Sequence, residues 1–457
     1  MDRAVGRTRE AVTSLALAAL AAVATTAAAQ PQAPPRYSIV ELAGVPTRIN
    51  DSGQVSGWVN VGGAAHAAIF SGGAWRDLGA LPGDQLSAFY DVNNAGAAVG
   101  FSFASLQPPI PPDTFADNRW QAAWAPAGAT AIQALTLIAP DSFAYAINDA
   151  GVIVGCLNRY DDVFPDPHRA YLFANGTLTD LHALMSGAGS QGFDFTCARD
   201  VNAQGAVVGE VQLQNQPSRG FLYRSGAVTT LVQGAAYLTN ARAINGSGLI
   251  VGEGRLAGFG ADQAVLFDSA NGSIRGLGVE ATGAFSSKPN DINSRGDVVG
   301  TMFLNVGERA FLAAGGSVYD LNDLIPAGGD WVLQEAFSIN ARGQIVGRGF
   351  LNSDPTVTRY FLLDASAPLP SIGSLIQQVK ALHRDGFLSR GNATAMIAEL
   401  KLAERRLHSR CGRLSVLALE IFVRHVDVLI RTGRLSPGKG QPLIDQARLI
   451  IDSILAR

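Results

Sequence analysis

The chain is short of charge, cysteine and long apolar runs, and each shortage excludes a class of protein. Charged residues make up 16% of the 457 positions against 47% hydrophobic. Disordered chains are charge-rich and poor in apolar residues, so that balance points to a packed fold. Three cysteines occur, Cys156, Cys197 and Cys411, so one internal disulfide at most can form and one thiol is left over. The longest early apolar run, Ser14 to Ala24, has eleven residues. That is too few to span roughly 30 Å of hydrocarbon. There is no Cys-x-x-Cys, no Gly-x-Ser-x-Gly elbow and no phosphate-binding Gly-Lys-Ser/Thr. Of the six histidines, none in the repeats described below pairs with another at the i, i+4 spacing of a helical zinc site. No cofactor is therefore implied. An enzyme that assembles its site from distant segments stays open.

What is abundant is glycine, 51 residues in a low-charge chain. Many glycines mean many tight turns, which suits an all-β protein of short strands. The first residues stand apart. Arg3, Arg7 and Arg9 precede the Ser14–Ala24 run, and Ala27 and Ala29 give a small-x-small pattern before Gln30. This predicts a secretory signal peptide over 1–29, which is set aside from fold reasoning. The remaining chain is then expected outside the cytoplasm, with no transmembrane segment.

The strongest signal is a period. An apolar residue, Asn, two variable residues, Gly, a Val-rich stretch and a second Gly recur seven times. The copies are INDSGQVSG at Asn50, VNNAGAAVG at Asn93, INDAGVIVG at Asn148, VNAQGAVVG at Asn202, INGSGLIVG at Asn245, INSRGDVVG at Asn293 and INARGQIVG at Asn340. Their asparagines lie 43 to 55 residues apart, the period of propeller blades. Each copy reads as a hairpin: Asn bonds its own backbone two residues on, and Gly takes the positive φ that closes the turn. A calcium loop at Asn148–Gly151 is disfavoured, because most copies lack the Asp and no carboxylate closes the loop. A second hairpin follows, as in HAAIFSGGAWRDLGAL from His66. Two hairpins make a four-stranded blade, here named A to D. The seventh unit lacks its fourth strand, and the orphan strand Tyr37–Leu42 matches that position. The expectation is a mainly β protein, a seven-bladed propeller over 36–364 whose N-terminal strand closes the last blade and removes an open edge.

These residues, with His66-Ala67-Ala68-Ile69-Phe70 and Asp77-Leu78-Gly79 as the nearest copy, resemble the extracellular HAF repeat family. The resemblance implies export and a repeat fold, and no known activity.

After a Pro-rich linker, 365–370, the apolar period changes from 2 to 3.6. Ser374 and Gln377 suit a capping box opening a helix of Leu375, Val379 and Leu382, which Gly386 stops. Met396, Leu400, Ala403 and Leu407 mark a second helix, and Leu419, Phe422, Val426 and Leu429 a third ending at Gly433. Ser436 and Pro437 open a fourth, carried by Ile444, Ala447, Ile451 and Leu455. Residues 371–457 are thus expected to form a small four-helix domain. With Gly386-Phe387-Leu388 and Leu435-Ser436, the stretch resembles the FIMAH domain of bacterial surface and secreted proteins. Residues 30–370 hold 18 basic and 29 acidic side chains, net −11; residues 371–457 hold 14 and 7, net +7. The basic tail either docks on an acidic surface or carries solvated helix faces. A nucleic-acid partner does not fit an exported chain of net charge −3.

Candidate site residues follow from the loops. The A–B and C–D turns are uniform or short, whereas the B–C and D–A connections vary, and strand alternation puts both on one face. A blade-two loop from Phe101 to Arg119 carries Phe103, Phe115 and four prolines. Strand C opens on a long polar residue in each blade: His66, Gln121, Arg169, Arg219, Gln263, Arg309 and Arg359. That circle either contacts a ligand or bonds neighbouring loop carbonyls. Asp161, Asp162 and Asp166 read as a cation site or as an ordinary polar loop. Cys156, after strand B of blade three, and Cys197, opening strand A of blade four, are the candidate disulfide. The expected function is non-enzymatic binding or adhesion to a glycan or protein; the alternative is an envelope polysaccharide hydrolase or lyase.

Overall fold

The computed structural model describes residues 35–105, 118–136, 138, 141–157, 160–161, 164–165, 168–186, 193–213, 217–326, 329–366, 372–408 and 412–455. Residues 1–29, for which a signal peptide is expected, Phe115, Asp162, Asp166 and Cys411 lie outside them. Seven antiparallel sheets follow one another along the chain. In blades one to seven, strand A spans Val45–Ile49, Leu86–Val92, Ser142–Ile147, Phe193–Val201, Ala236–Ile244, Ser286–Ile292 and Trp331–Ile339. Strands B, C and D pair outward from it in order. In blade seven, strand C is Asp354–Ser366 and strand D is Arg36–Leu42, paired from Arg36↔Ser366 to Leu42↔Tyr360. Tyr37 is buried there with Phe361 and Leu363. The fold is the seven-bladed propeller, closed by its N-terminal strand.

Each repeated asparagine holds two kinds of bond. Its Oδ1 accepts the N–H four residues on in all seven copies, from Gln54 to Gln344, at 2.8 to 3.0 Å. It also accepts the N–H two residues on in five copies. The other half of the side chain reaches the next blade. Asn50 Nδ2 donates to the Asn93 carbonyl, Asn93 to Asn148, Asn148 to Asn202, and so on through Asn245 and Asn293 to Asn340. Asn340 then donates to Asn50 at 2.9 Å. All seven asparagines are buried. The result is a closed circle of hydrogen bonds that joins the last blade to the first. Asp or Ser could cap the turn, but neither keeps both the acceptor and the amide donor.

The two glycines of the motif do different work. The first (Gly53, Gly96, Gly151 and their equivalents) has φ between 75° and 87°, a turn conformation that costs an L side chain. The second allows strands A and B to approach. A Cβ on Gly57, Gly100, Gly155, Gly209, Gly252, Gly300 or Gly347 would stand about 2 Å from a strand-A carbonyl. The approach accompanies a register shift in every strand A. Such a bulge leaves one residue unpaired and re-aims its side chain. A shift in every strand A takes in the residue three before the Asn: Tyr90, Tyr145, Arg199, Arg242, Asn290 and Phe337 singly, and Thr47 together with Arg48 in blade one.

The tail contains helices Ile372–Arg384, Arg390–His408, Gly412–Arg431 and Pro437–Leu455. Leu375, Val379, Met396, Leu400, Leu419, Phe422, Val426 and Ala447 share its core. The first helix already includes Ile372, so Ser374 lies within it and is no cap; Ile372 is buried with Leu375 and Ile376 and extends the apolar stripe upstream. Gly386 and Gly433 end their helices at φ 80° and 68°. Among the described residues no helix is long and apolar enough to cross a membrane.

Candidate functional site

The seven bulged residues line one cavity of about 570 Å³ at the propeller axis. Strand A delivers them, and strand B adds Trp58, Glu210 and Arg348 to the wall. Val45 and Pro46, at the start of strand A in blade one, and Tyr360 of blade seven also line it.

Its floor is a buried charge cluster. Two residues before the Asn stand Arg48, Asp91, Ala146, Asp200, Ala243, Asp291 and Ser338. Charged and small side chains thus interleave where the seven strands converge. Arg48 Nη1 lies 2.9 Å from Asp291 Oδ1, and its Nη2 lies 3.9 Å from Asp200 Oδ1. Each aspartate also accepts a backbone N–H of the following blade: Asp91 from Ile147, Asp200 from Ile244, Asp291 from Ile339. Burial works against the Arg48 charge, but Asp291, Asp200 and Asp91 outweigh it and raise its pKa. Burial pushes Asp200 up to about 6 and raises Asp91 as well, against the pull of Arg48. Below this cluster the asparagine circle follows. Among the described residues no three carboxylates, histidines or cysteines are grouped so as to hold a metal.

The walls divide by chemistry. Blades two and three present Tyr90 and Tyr145, stacked at 5.0 Å between centroids, with Phe101 5.4 Å from Tyr90. Trp58 and Phe337 extend the aromatic side. Blades four and five present two equivalent ion pairs. Arg242 Nε and Nη2 contact Glu253 Oε1 at 2.8 and 2.7 Å. Arg199 grips Glu210 Oε1 in the same way and lies 4.9 Å from the Tyr145 ring centroid. In blade seven, Arg348 bridges Glu335 and Glu308 at 2.9 Å each. Burial alone would raise the pKa of Glu335, but Lys288 and Arg348 hold it below the usual carboxylate range. A second cavity of about 420 Å³ adjoins at blades four and five, sharing Glu210 and Asn240 and adding Glu253 and Asp262. Asn240 Oδ1 is buried there without a hydrogen-bond partner.

The strand-C residues lie elsewhere, and none lines the central cavity. His66 bonds Asp77, Arg169 bonds Asp180, and Arg359 bonds Glu41, each within its own blade. Gln121 reaches the Leu135 carbonyl, Gln263 the Phe285 carbonyl and Arg309 the Glu308 carbonyl. Arg219 stacks on Tyr237, which lines the second cavity, at 3.7 Å. The structure brings none of these seven together. Phe101 and Phe103 belong to strand B, Ala98–Ser105, and not to a loop; Phe103 packs on Trp120 at 4.3 Å. The rest of that loop, 106–117, lies outside the described residues. Asp161 pairs in a short hairpin with Phe164. Cys156 and Cys197 are disulfide-bonded with Cα atoms 5.1 Å apart, from inside strands B and A of neighbouring blades.

The cavity residues carry a sequence signal that motif reading passed over. In seven aligned repeats, the Asn and both glycines never change. The positions three before the Asn and one after the second Gly vary around the ring, from Thr47 through Tyr90 and Arg199 to Phe337 at the first and from Trp58 through Glu210 to Arg348 at the second. Variability inside a constant frame marks the residues free to recognise something.

No protein-family model matches the chain, and no curated protein matches it. Solved structures do. The acylaminoacyl peptidase of Pyrococcus horikoshii is 12% identical over 72% of this chain and 51% of its own, with a TM-score of 0.45. The chain thus spans about half of that enzyme's length. The β-propeller domain of the Trilobed protease from Pyrococcus furiosus is 10% identical, covering 72% and 94%, at 0.45. TolB from Acinetobacter baumannii is 11% identical, covering 73% and 97%, at 0.34.

Proposed function

We propose that this chain is a non-enzymatic binding module that works outside the cytoplasm and takes a glycan or protein ligand into its axial cavity. One observation carries the reading: bulges at the same place in seven strands aim side chains of five kinds, aromatic, cationic and polar, into one open cavity. A core that served packing alone would fill that space with apolar groups. The Arg3-to-Ala29 segment supports export, and the repeat and tail motifs support a HAF-type propeller with a FIMAH-like domain. The hydrolase reading is weaker. A general acid needs a raised carboxyl pKa; of the wall carboxylates, Glu335 is held low and Glu210 and Glu253 are each locked to an arginine, while the raised Asp200 and Asp91 are held beneath the lining against Arg48.

The test screens the purified protein, without residues 1–29, against glycan and envelope-protein arrays. The hits are then repeated with Tyr145→Leu/Arg242→Met and with 106–117 replaced by a Gly-Ser link. Capture lost in the cavity variant and kept in the loop variant supports the reading. The opposite result moves the site to the outer loop, and turnover of a captured polysaccharide makes the protein an enzyme.

A further inference from the structure

We infer that the axial cavity, together with the adjoining cavity of blades four and five, receives the end of an uncharged saccharide chain, its ring against the Tyr90–Tyr145 wall and adjacent hydroxyls bridging the Arg–Glu pairs of those two blades. The inference rests on the binding reading above and narrows its ligand. Three features of the site lead to it.

The first is the form of the ion pairs. Both contacts of Arg199–Glu210 and of Arg242–Glu253 fall on one oxygen, Oε1. Each pair therefore offers a guanidinium donor beside a second carboxylate oxygen that accepts. Neighbouring hydroxyls of a sugar match that array, one accepting and one donating, both in charge-assisted bonds. Asn240 Oδ1, buried and unpartnered between the two cavities, is a further acceptor for a hydroxyl proton.

The second is charge. The walls are already neutralised pair by pair, and each aspartate of the floor beneath them is held by a main-chain N–H, two of them also by Arg48. A carboxylate or ammonium on the ligand would compete with a partner already in place and leave one charge unbalanced in a partly buried site. Hydroxyls add bonds without changing the balance.

The third is shape. Arg48 of blade one crosses the axis beneath the cavity, its guanidinium between Asp291 of blade six and Asp200 of blade four. A polymer cannot thread through, so an end must enter. The adjoining wall, where Tyr90 and Tyr145 stack at 5.0 Å and Arg199 lies 4.9 Å from the Tyr145 ring, supplies an aromatic surface for the C–H side of a pyranose.

The experiment titrates the purified chain calorimetrically with neutral linear trisaccharides of glucose, galactose, mannose and N-acetylglucosamine. A galacturonate trisaccharide and a zwitterionic tripeptide run alongside. Neutral trisaccharides are expected to bind. Arg242→Met and Tyr145→Leu should each weaken binding at least tenfold at unchanged melting temperature, and Arg242→Lys should recover only part. For any sugar bound, a form with both ends blocked by cyclisation should lose at least tenfold. Binding of the uronate or tripeptide alone, abolished by the same variants, overturns the saccharide assignment and leaves the cavity reading standing. Binding that no cavity variant alters overturns both. Absence of any saccharide binding at millimolar concentration, or equal binding of cyclised sugar, overturns the inference.

Discussion

Replacing Asn148 tests whether the asparagine circle holds the blades together. In Asn148→Ala three bonds vanish: Nδ2 to the Asn202 carbonyl at 2.9 Å, and Oδ1 from the Ala150 and Val152 amides at 3.0 and 2.9 Å. At about 1 kcal/mol net per bond, the loss is about 3 kcal/mol. With an m-value of about 3 kcal/mol per molar urea, the midpoint should fall by about 1 M. Asn148→Asp separates the two functions. It keeps both turn acceptors but aims a carboxylate at the Asn202 carbonyl, so at neutral pH it should be no more stable than the alanine variant. Burial beside that carbonyl raises the new carboxyl's folded-state pKa above its unfolded value of about 3.9. The folded protein then binds the extra proton more readily, so the deficit shrinks as pH falls through the folded pKa, when the acid O–H takes over the lost donor role. Urea titrations followed by tryptophan fluorescence at pH 7 and pH 4.5 measure both effects. A midpoint within about 0.2 M of the parent at pH 7 for both variants would refute the claim that the circle is a structural tie.

Asp200 makes stability pH-dependent in the opposite sense to a salt-bridged carboxylate. Its folded pKa of about 6 lies above the unfolded value, so stability should fall as pH rises from about 4 to 6, by about 3 kcal/mol from this group. Asp200→Asn should flatten that slope in denaturation curves; an unchanged slope assigns the effect to another group. Gly209→Ala places a Cβ 2.0 Å from the Cys197 carbonyl and should cost more than 3 kcal/mol, whereas Gly226→Ala, with open space around it, should cost about 1. Equal melting temperatures would contradict the close-approach argument. Removing the Cys156–Cys197 bond opens a link of sequence separation 41, worth about 4 kcal/mol by loop entropy, and mass analysis of the oxidised chain should find one free thiol.

The blades were legible because Asn and both glycines do backbone work, which tolerates no substitute and therefore repeats visibly. Closure was legible for a related reason: a blade without a fourth strand and a strand without a blade match by count. The cavity was hidden by the assumption of strict alternation. With period 2, Thr47 and Arg48 would point to opposite faces of strand A. The bulge breaks the alternation, and both line the cavity. Register shifts arise from how two strands fit, so composition alone does not announce them. The strand-C residues are equivalent around the ring, as alternation predicts, yet each finds its partner at short range. His66 meets Asp77 across one hairpin before any neighbour comes within reach.

This division of labour bears on how the site is specified. Blades four and five place arginine three before the Asn and glutamate one after the second Gly, eleven positions apart in both. Blade three keeps the same frame but uses the first slot for Tyr145, and the second slot holds Cys156 in the disulfide. The frame's bonds are made by the Asn side chain and the main chain, so they do not depend on what fills either slot. Substitution at the first slot therefore changes the cavity wall without touching these bonds. The cavity wall is thus set blade by blade, by all seven first slots and by Trp58, Glu210 and Arg348 from the second; on the binding reading proposed above, two adjacent identical pairs suit a ligand that offers the same pair of groups twice.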